Sequence, residues 1–396
     1  RWALLVTSFV IMTIISIYQY SWFLFAYAIQ KQYGWTLYAI GMAFTIFNIA
    51  TFSQPLSGYV ADAYGPRKVA ITGALLVGVG FVLSSYVTSP ILLYSYYGLG
   101  GLGVGFLYGV ATACAVKWFP DKRGFAAGLV VFGYGAGTAV FNIGIEGLIE
   151  TRGIQTTYLY LGLAMLFTLL PLSFLFAYPD RRAVSAPGAM AQHSGVPVDY
   201  KPVEMLRTHQ WYLIYFSFTF VISIVLIFGA QMKMVAKEFN IPADYFSLLL
   251  VLFPLGNGLS RVISGSISDR IGREKTMVIF YSLLSLSIFL FVLFAHIPLL
   301  FVVLICLVAL LGGSPFALYP ATIGDYYGPA YSTTNYGITY TAKAFAGVIS
   351  GWFCGYAAMQ FGSFKFPLIL VGVCSLVAAV LSSPRIMKPP RKKIPA

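Results

Sequence analysis

Charge is scarce in this chain: of 396 residues only 9% are Asp, Glu, Lys or Arg, and the acids number 12. That excludes an ordinary soluble domain, in which about a quarter of the residues are charged. Cysteine and histidine are few as well, 4 and 3. Cys114, Cys306, Cys354 and Cys374 all lie in apolar runs without C-x-x-C spacing, so they read as small buried hydrophobes rather than a disulfide framework or a metal site. His193 falls in a loop, and His209 and His296 fall at helix ends. With no metal cluster, phosphate loop or nucleophile–base pair, neither an enzyme nor a cofactor is expected.

What the chain has instead is hydrophobic length, at 59% apolar residues and a mean hydropathy of +0.82. A membrane-spanning helix needs about 20 mainly apolar residues. Twelve stretches qualify, roughly 2–29, 37–61, 69–88, 91–117, 124–149, 155–178, 210–238, 244–268, 276–296, 299–323, 332–360 and 364–383. They are long and lack strict alternation, so they predict helices rather than a barrel. The first follows Arg1 and is too long for a cleaved signal sequence, so a permanent span is expected. The missing initiator Met suggests a trimmed chain.

The formal net charge of +13 raises the question of nucleic acid, and its distribution answers it. With the N-terminus inside, Lys31, Arg152, Lys233, Lys237 and Lys365 fall outside or at the outer face. Arg261 and Lys343 fall within spans, and the remaining Lys and Arg of the total of 25, among them Arg67, Lys68, Lys122, Arg181, Arg182 and Lys275, fall inside. This is the positive-inside bias of a multi-pass protein of the plasma or inner membrane with both termini cytoplasmic, and no nucleic-acid partner is expected. The basic tail "PRIMKPPRKKIPA" reads as part of the same topology signal.

A polar, Pro-containing segment separates six spans from six, which divides the chain into an N-terminal half (1–178), a cytoplasmic linker (179–209), a C-terminal half (210–383) and a basic tail (384–396). Across the linker the sequence repeats itself: "SGYVADAYGPRK" (Ser57–Lys68) returns as "SGSISDRIGREK" (Ser264–Lys275), 207 positions later. Each copy ends the second helix of its half with the spacing G-x-x-x-D-x-x-G-x-x-K. Gly58 and Gly265 would let a neighbouring helix approach, and Asp62 and Asp269 can cap helix N-termini or pair with loop arginines. Gly65, Arg67, Gly272 and Arg273 complete the candidate gating motif. Twelve spans, a doubled motif and a long central loop resemble the major facilitator superfamily. The resemblance implies an all-α integral membrane fold of twelve transmembrane helices in two six-helix pseudo-symmetric halves, with a substrate site near the midplane between them.

Within the apolar stretch "LFPLGNGLSRVISGSISDR" stands Arg261, eight residues before Asp269 and so about 12 Å from the inner end of its span. Lys343, in "YGITYTAKAFAGVISG", lies roughly 18 Å into the eleventh span. In a hydrocarbon core about 30 Å thick these two cations bracket the midplane. A charge at that depth costs at least about 2.5–3.5 kcal/mol and normally faces a cavity or a partner. The acids nearest in depth are Glu146, near the outer end of the fifth span, and Asp325, near the inner end of the tenth. Neither is at the right level, so the expected partner is a travelling small organic anion, with structural pairing or snorkelling as the alternative. The repeat shift carries Arg261 onto Gln54 and Asn257 onto Ala50, so the second half is expected to grip the charged end. Asn257 shares a helix face with Arg261 at i, i+4, and the planar guanidinium suits a carboxylate. Tyr108, Phe316 and Tyr340 are the first choices for the wall, with Tyr18, Trp22, Tyr134 and Tyr319 behind them.

"KWFPDKRGFAAGLVVFGYGAG" (Lys117–Gly137) is similar to the loop and fifth-helix signature of the monocarboxylate transporter family. Trp118-Phe119, Lys122-Arg123, Ala126 and Gly128 match it, while Asp121 and Phe125 depart. "GDYYGPAYSTTNYG", followed by Lys343, resembles the bacterial oxalate/formate antiporter relatives. That likeness implies anion binding by a span-eight Arg and a span-eleven Lys, which map onto Arg261 and Lys343. The proton-coupling Asp of animal lactate carriers is replaced here by Asn257. The leading expectation is a secondary active carrier of small monocarboxylates, lactate or pyruvate in class, moving with a proton by alternating access as a monomer in the lipid bilayer. With no mid-span carboxylate or histidine, Lys343 is the candidate for proton coupling. An oxalate/formate-type antiporter is the alternative; an anion channel or a non-transporting sensor on the same fold is the alternative of another class.

Overall fold

Where hydrocarbon surrounds a chain, each segment must satisfy its own backbone N–H and C=O groups. The structure, a computed structural model, does so with helices alone among the residues it describes: 1–119, 123–178, 199–328 and 331–390. Asp121, Lys122, Arg181, Arg182 and His193, most of the linker, the last six residues of the tail and the side chain of Asp62 lie outside the described part.

Twelve spans form two six-helix halves, as the sequence predicts. The first half comprises Trp2–Tyr33, the pair Leu37–Ala50 and Ser53–Tyr64, then Pro66–Ser84 and Pro90–Trp118. Its fifth span starts with Arg123–Ala136 and runs into Asn142–Ser173, which also contains the sixth. Gly153, at φ 79°, makes the turn between these last two. The second half comprises His209–Glu238, Ala243–Ile271, Arg273–Phe294, Pro298–Tyr327, the eleventh span within 332–361, and Lys365–Leu381. Prolines open several of these helices, where the missing N–H costs nothing. Ile91, Val140 and Phe167 are largely exposed, as lipid-facing side chains must be.

The sequence repeat returns as backbone geometry. Gly65 (φ 90°, ψ 151°) and Gly272 (φ 93°, ψ 155°) make the same turn between the second and third spans of their halves, a conformation that side-chain-bearing residues rarely adopt. Asp269 accepts from Arg273 at 2.6 Å, and Arg273 Nε donates to Asp325 at 3.1 Å. The motif therefore ties the eighth, ninth and tenth spans together on the side that carries the chain termini, here the terminal side. Gly265 has a different role from the close packing expected of it: an added Cβ would meet only Ala317 Cβ at 3.9 Å.

Close approach between the halves occurs instead beside Arg261, where a Cβ on Gly258 would stand 2.8 Å from Ala136 Cβ, and on the opposite, far side. There the second and eleventh spans touch backbone to backbone, and a Cβ added to Gly41 would stand 2.0 Å from the Gly351 carbonyl oxygen. The fifth span meets the eighth through Asn142 Nδ2, which donates to the Leu250 carbonyl at 2.9 Å, and meets the seventh through the ion pair of Glu146 with Lys233. The halves are thus closed against each other on the far side.

Candidate functional site

Arg261 projects from the eighth span into the interface between the halves and is 5% exposed. It reaches no carboxylate among the described residues. Its Nη1 donates to the backbone carbonyl of Val131 on the fifth span, and its Nη2 donates to Asn257 Oδ1 at 3.2 Å and to the Tyr20 hydroxyl at 3.4 Å. The guanidinium lies over Phe316, 4.6 Å from the ring centre, a cation–π arrangement. Its Nε and the Nδ2 of Asn257 are buried donors with no partner among the described residues. Buried donors left unpaired are costly, and here they belong to the side chains picked from the sequence as the anion grip. In this conformation Asn257 orients the arginine by accepting from it, while its own amide N–H groups remain to be satisfied.

Lys343 is 2% exposed. Its Nζ lies 5.7–5.8 Å from the ring centres of Phe47, Tyr134 and Tyr340, and no ion pair reaches it among the described residues. The two acids weighed from the sequence are engaged elsewhere, Glu146 with Lys233 and Asp325 with Arg273. A network of rings joins the two cations: Tyr108 packs on Tyr134 (5.1 Å) and Tyr340 (5.9 Å), and Tyr340 packs on Phe316 (6.2 Å). Tyr108, Phe316 and Tyr340 are brought to one place with Arg261, Asn257 and Lys343.

The first span contributes differently from expectation. Tyr18 donates to the Val77 carbonyl at 2.6 Å and stacks on Phe81, and Trp22 packs on Tyr97, so both serve the interior of their own half. Tyr319 is likewise interior, bonded to Ser217 at 2.5 Å. Tyr20 faces the site instead, donating to Asn257 Oδ1 at 2.9 Å, and its neighbour Gln19 accepts from Tyr134 at 3.0 Å. Glutamine at mid-span, flanked by two tyrosines, is the signal in the sequence that marks this stretch.

Two six-helix halves enclosing a buried, positively charged, ring-lined site define a membrane carrier. The chain belongs to the Major Facilitator Superfamily, whose family model matches it twice, over residues 4–232 and 226–396. It is similar along its whole length to the oxalate:formate antiporter of Oxalobacter formigenes, at 32% identity covering 100% of this chain and 94% of that protein. Monocarboxylate transporter 9 of Gallus gallus is 32% identical over 87 residues, 22% of this chain and 17% of that protein. A D-xylose-proton symporter has the same fold, with a TM-score of 0.77 at 13% identity over 98% of both chains. The chain is a multi-pass transporter and not an enzyme.

A carrier must close and reopen, and the glycine contact sets a limit on closure. In Gly41→Ala the new methyl would collide with the Gly351 carbonyl, so the far side cannot seal as it does here. Overpacking of this kind costs about 1–3 kcal/mol, so transport in proteoliposomes is expected to fall by roughly 5- to 150-fold with expression unchanged. Transport at the wild-type rate would mean that this contact is not part of the cycle.

Proposed function

We propose that this chain carries small carboxylates across the cytoplasmic membrane, with both termini inside, as a monomer working by alternating access. The observation that carries the reading is the pair of buried cations, Arg261 and Lys343, which touch no carboxylate among the described residues and stand in one ring-lined interface. A monoanion needs one such cation and a dianion uses both. The favoured cargo is therefore a compact dicarboxylate exchanged for a monocarboxylate, a reading also supported by the full-length likeness to an oxalate:formate antiporter.

Proton-coupled uptake of lactate or pyruvate is the second reading. The apolar ring surfaces favour it, since they suit a substrate with an apolar end. In that case Arg261 holds the carboxylate and Lys343 carries the proton.

Counterflow in proteoliposomes separates the two. Loaded with formate, vesicles are expected to take up oxalate and to ignore an imposed pH gradient. Lactate accumulation driven by the gradient, without counter-anion, would install the second reading. Absence of transport for all carboxylates tried would remove both.

A further inference from the structure

The eleventh span is not one regular helix. It runs as Ser332–Tyr340 and Ala342–Gly347, widens into a π-helical turn over Val348–Phe353, and resumes as Cys354–Phe361. A π turn holds one residue more than an α turn, and such turns cluster at functional sites. This one begins five residues after Lys343.

Its backbone is completed by the other half of the protein. Thr45, on the second span and 3% exposed, donates its hydroxyl to the Gly347 carbonyl at 2.9 Å and accepts from the Trp352 N–H at 3.2 Å. Gly347 O and Trp352 N are the i and i+5 groups that a π turn would pair directly. One hydroxyl can both donate and accept, so Thr45 bonds both members of this i, i+5 pair from the side, in addition to the pairing that makes the turn π-helical. The contact depends on close approach. A Cβ at Gly347 would stand 2.5 Å from Asn48 Cβ, and one at Gly351 would stand 2.5 Å from the Gly41 carbonyl oxygen and 2.7 Å from Thr45 Oγ1. Phe47, two residues beyond Thr45 on the same span, is one of the rings around Lys343.

We propose that Thr45 is a positioning residue for transport: its hydroxyl holds the π turn open while the far side is closed, and so fixes the direction in which Lys343 points. When the halves part on the far side, Thr45 withdraws. The Gly347 carbonyl and the Trp352 N–H then lose the second partner that favours the wide turn, and the turn relaxes toward α-helical pairing. Removing the extra residue from the turn rotates the outer part of the span relative to the part bearing Lys343, by about 100° for one residue at 3.6 per turn. Far-side closure and the aim of the second cation are thereby one event. The proposal rests on the reading above only in taking Lys343 as an anion-holding group.

The test compares Thr45→Val, which keeps the shape and removes the hydroxyl, with Thr45→Ser, which keeps the hydroxyl. Full-length protein is assayed for oxalate and lactate transport in proteoliposomes, and hydrogen–deuterium exchange is followed in peptides covering 347–353. Thr45→Val is expected to transport about tenfold more slowly, the scale of one or two net hydrogen bonds lost, with a smaller change in KM. Its deprotection is expected to be confined to that segment, while Thr45→Ser stays within about threefold of wild type in rate. Thr45→Ala replaces Thr45→Val if the valine variant does not fold. Wild-type rate and protection in the hydroxyl-free variant, or equal loss in both variants, would overturn the proposal. If wild-type protein moves neither anion, the functional reading fails, and the exchange pattern alone still decides whether Thr45 holds the turn.

Discussion

Arg261→Ala is expected to abolish carboxylate binding for practical purposes, by roughly thirty- to several-thousand-fold, the range for removing one member of a buried hydrogen-bonded charge pair. The guanidinium is held from three directions, by the Val131 carbonyl, by Asn257 Oδ1 and by the face of Phe316, and so needs little further ordering when an anion arrives. Its unpaired Nε, together with the unpaired Nδ2 of Asn257, gives an incoming carboxylate two donors already in place. Truncation removes the charge and one of the donors to Asn257 Oδ1, which keeps the Tyr20 hydroxyl, and to the Val131 carbonyl, which lies within its own helix, so most of the loss is that of the charge itself. Arg261→Lys separates the contributions. It keeps the charge but loses the planar fork, and a lysine cannot reach the carbonyl of another span and bind a carboxylate in parallel. A loss of about tenfold is expected for Lys. Titration of oxalate and lactate into purified, monodisperse variants gives the answer, and binding within threefold of wild type in Arg261→Ala would mean that the anion sits elsewhere.

Charge and glycine were legible in the sequence, because burying the one is expensive and replacing the other is sterically hard. Arg261, Asn257 and Lys343 announced themselves as costly groups in lipid, and their convergence follows from the internal repeat that places both halves around one midplane. Gly65 and Gly272 stood out as equivalent positions of a doubled motif, and their dihedral angles agree within a few degrees. Helix faces were not legible. The first span is apolar on every side and is interrupted at Ser16 and Ser21, so a uniform 3.6-residue period does not tell which of its aromatic side chains looks inward. Tyr18 and Trp22 look into their own half, and Tyr20 looks into the site. In the eleventh span the π turn breaks the period again. The Val131 carbonyl was out of reach for a different reason: a backbone acceptor carries no signature in the residue type. Gly265 drew attention because the motif copy was visible, whereas Gly41 and Gly351, which do approach closely, lie in apolar stretches that look like ordinary helix.

Lys343→Met should divide the two cargo classes. Arg261 is surrounded by acceptors, but among the described residues the contacts of the Lys343 ammonium are ring faces at 5.7–5.8 Å, each worth about 0.5–2 kcal/mol. Its charge is therefore the less compensated of the two and stands to gain more from an arriving anion. Methionine fills a similar volume and leaves the ring packing in place, so the change isolates charge from shape. If a dianion spans both cations, its affinity is expected to fall about a hundredfold or more, while a monocarboxylate held by Arg261 alone shifts by less than about threefold. If Lys343 instead carries the proton for a monocarboxylate, lactate still binds, but its accumulation under an imposed pH gradient disappears. The double variant with Arg261→Ala adds a check, because two groups gripping one ligand give non-additive losses. Equal, small effects on oxalate and lactate together with an intact pH response would leave Lys343 with no part in either cycle. The second cation would then belong to the packing of Phe47, Tyr134 and Tyr340 rather than to transport.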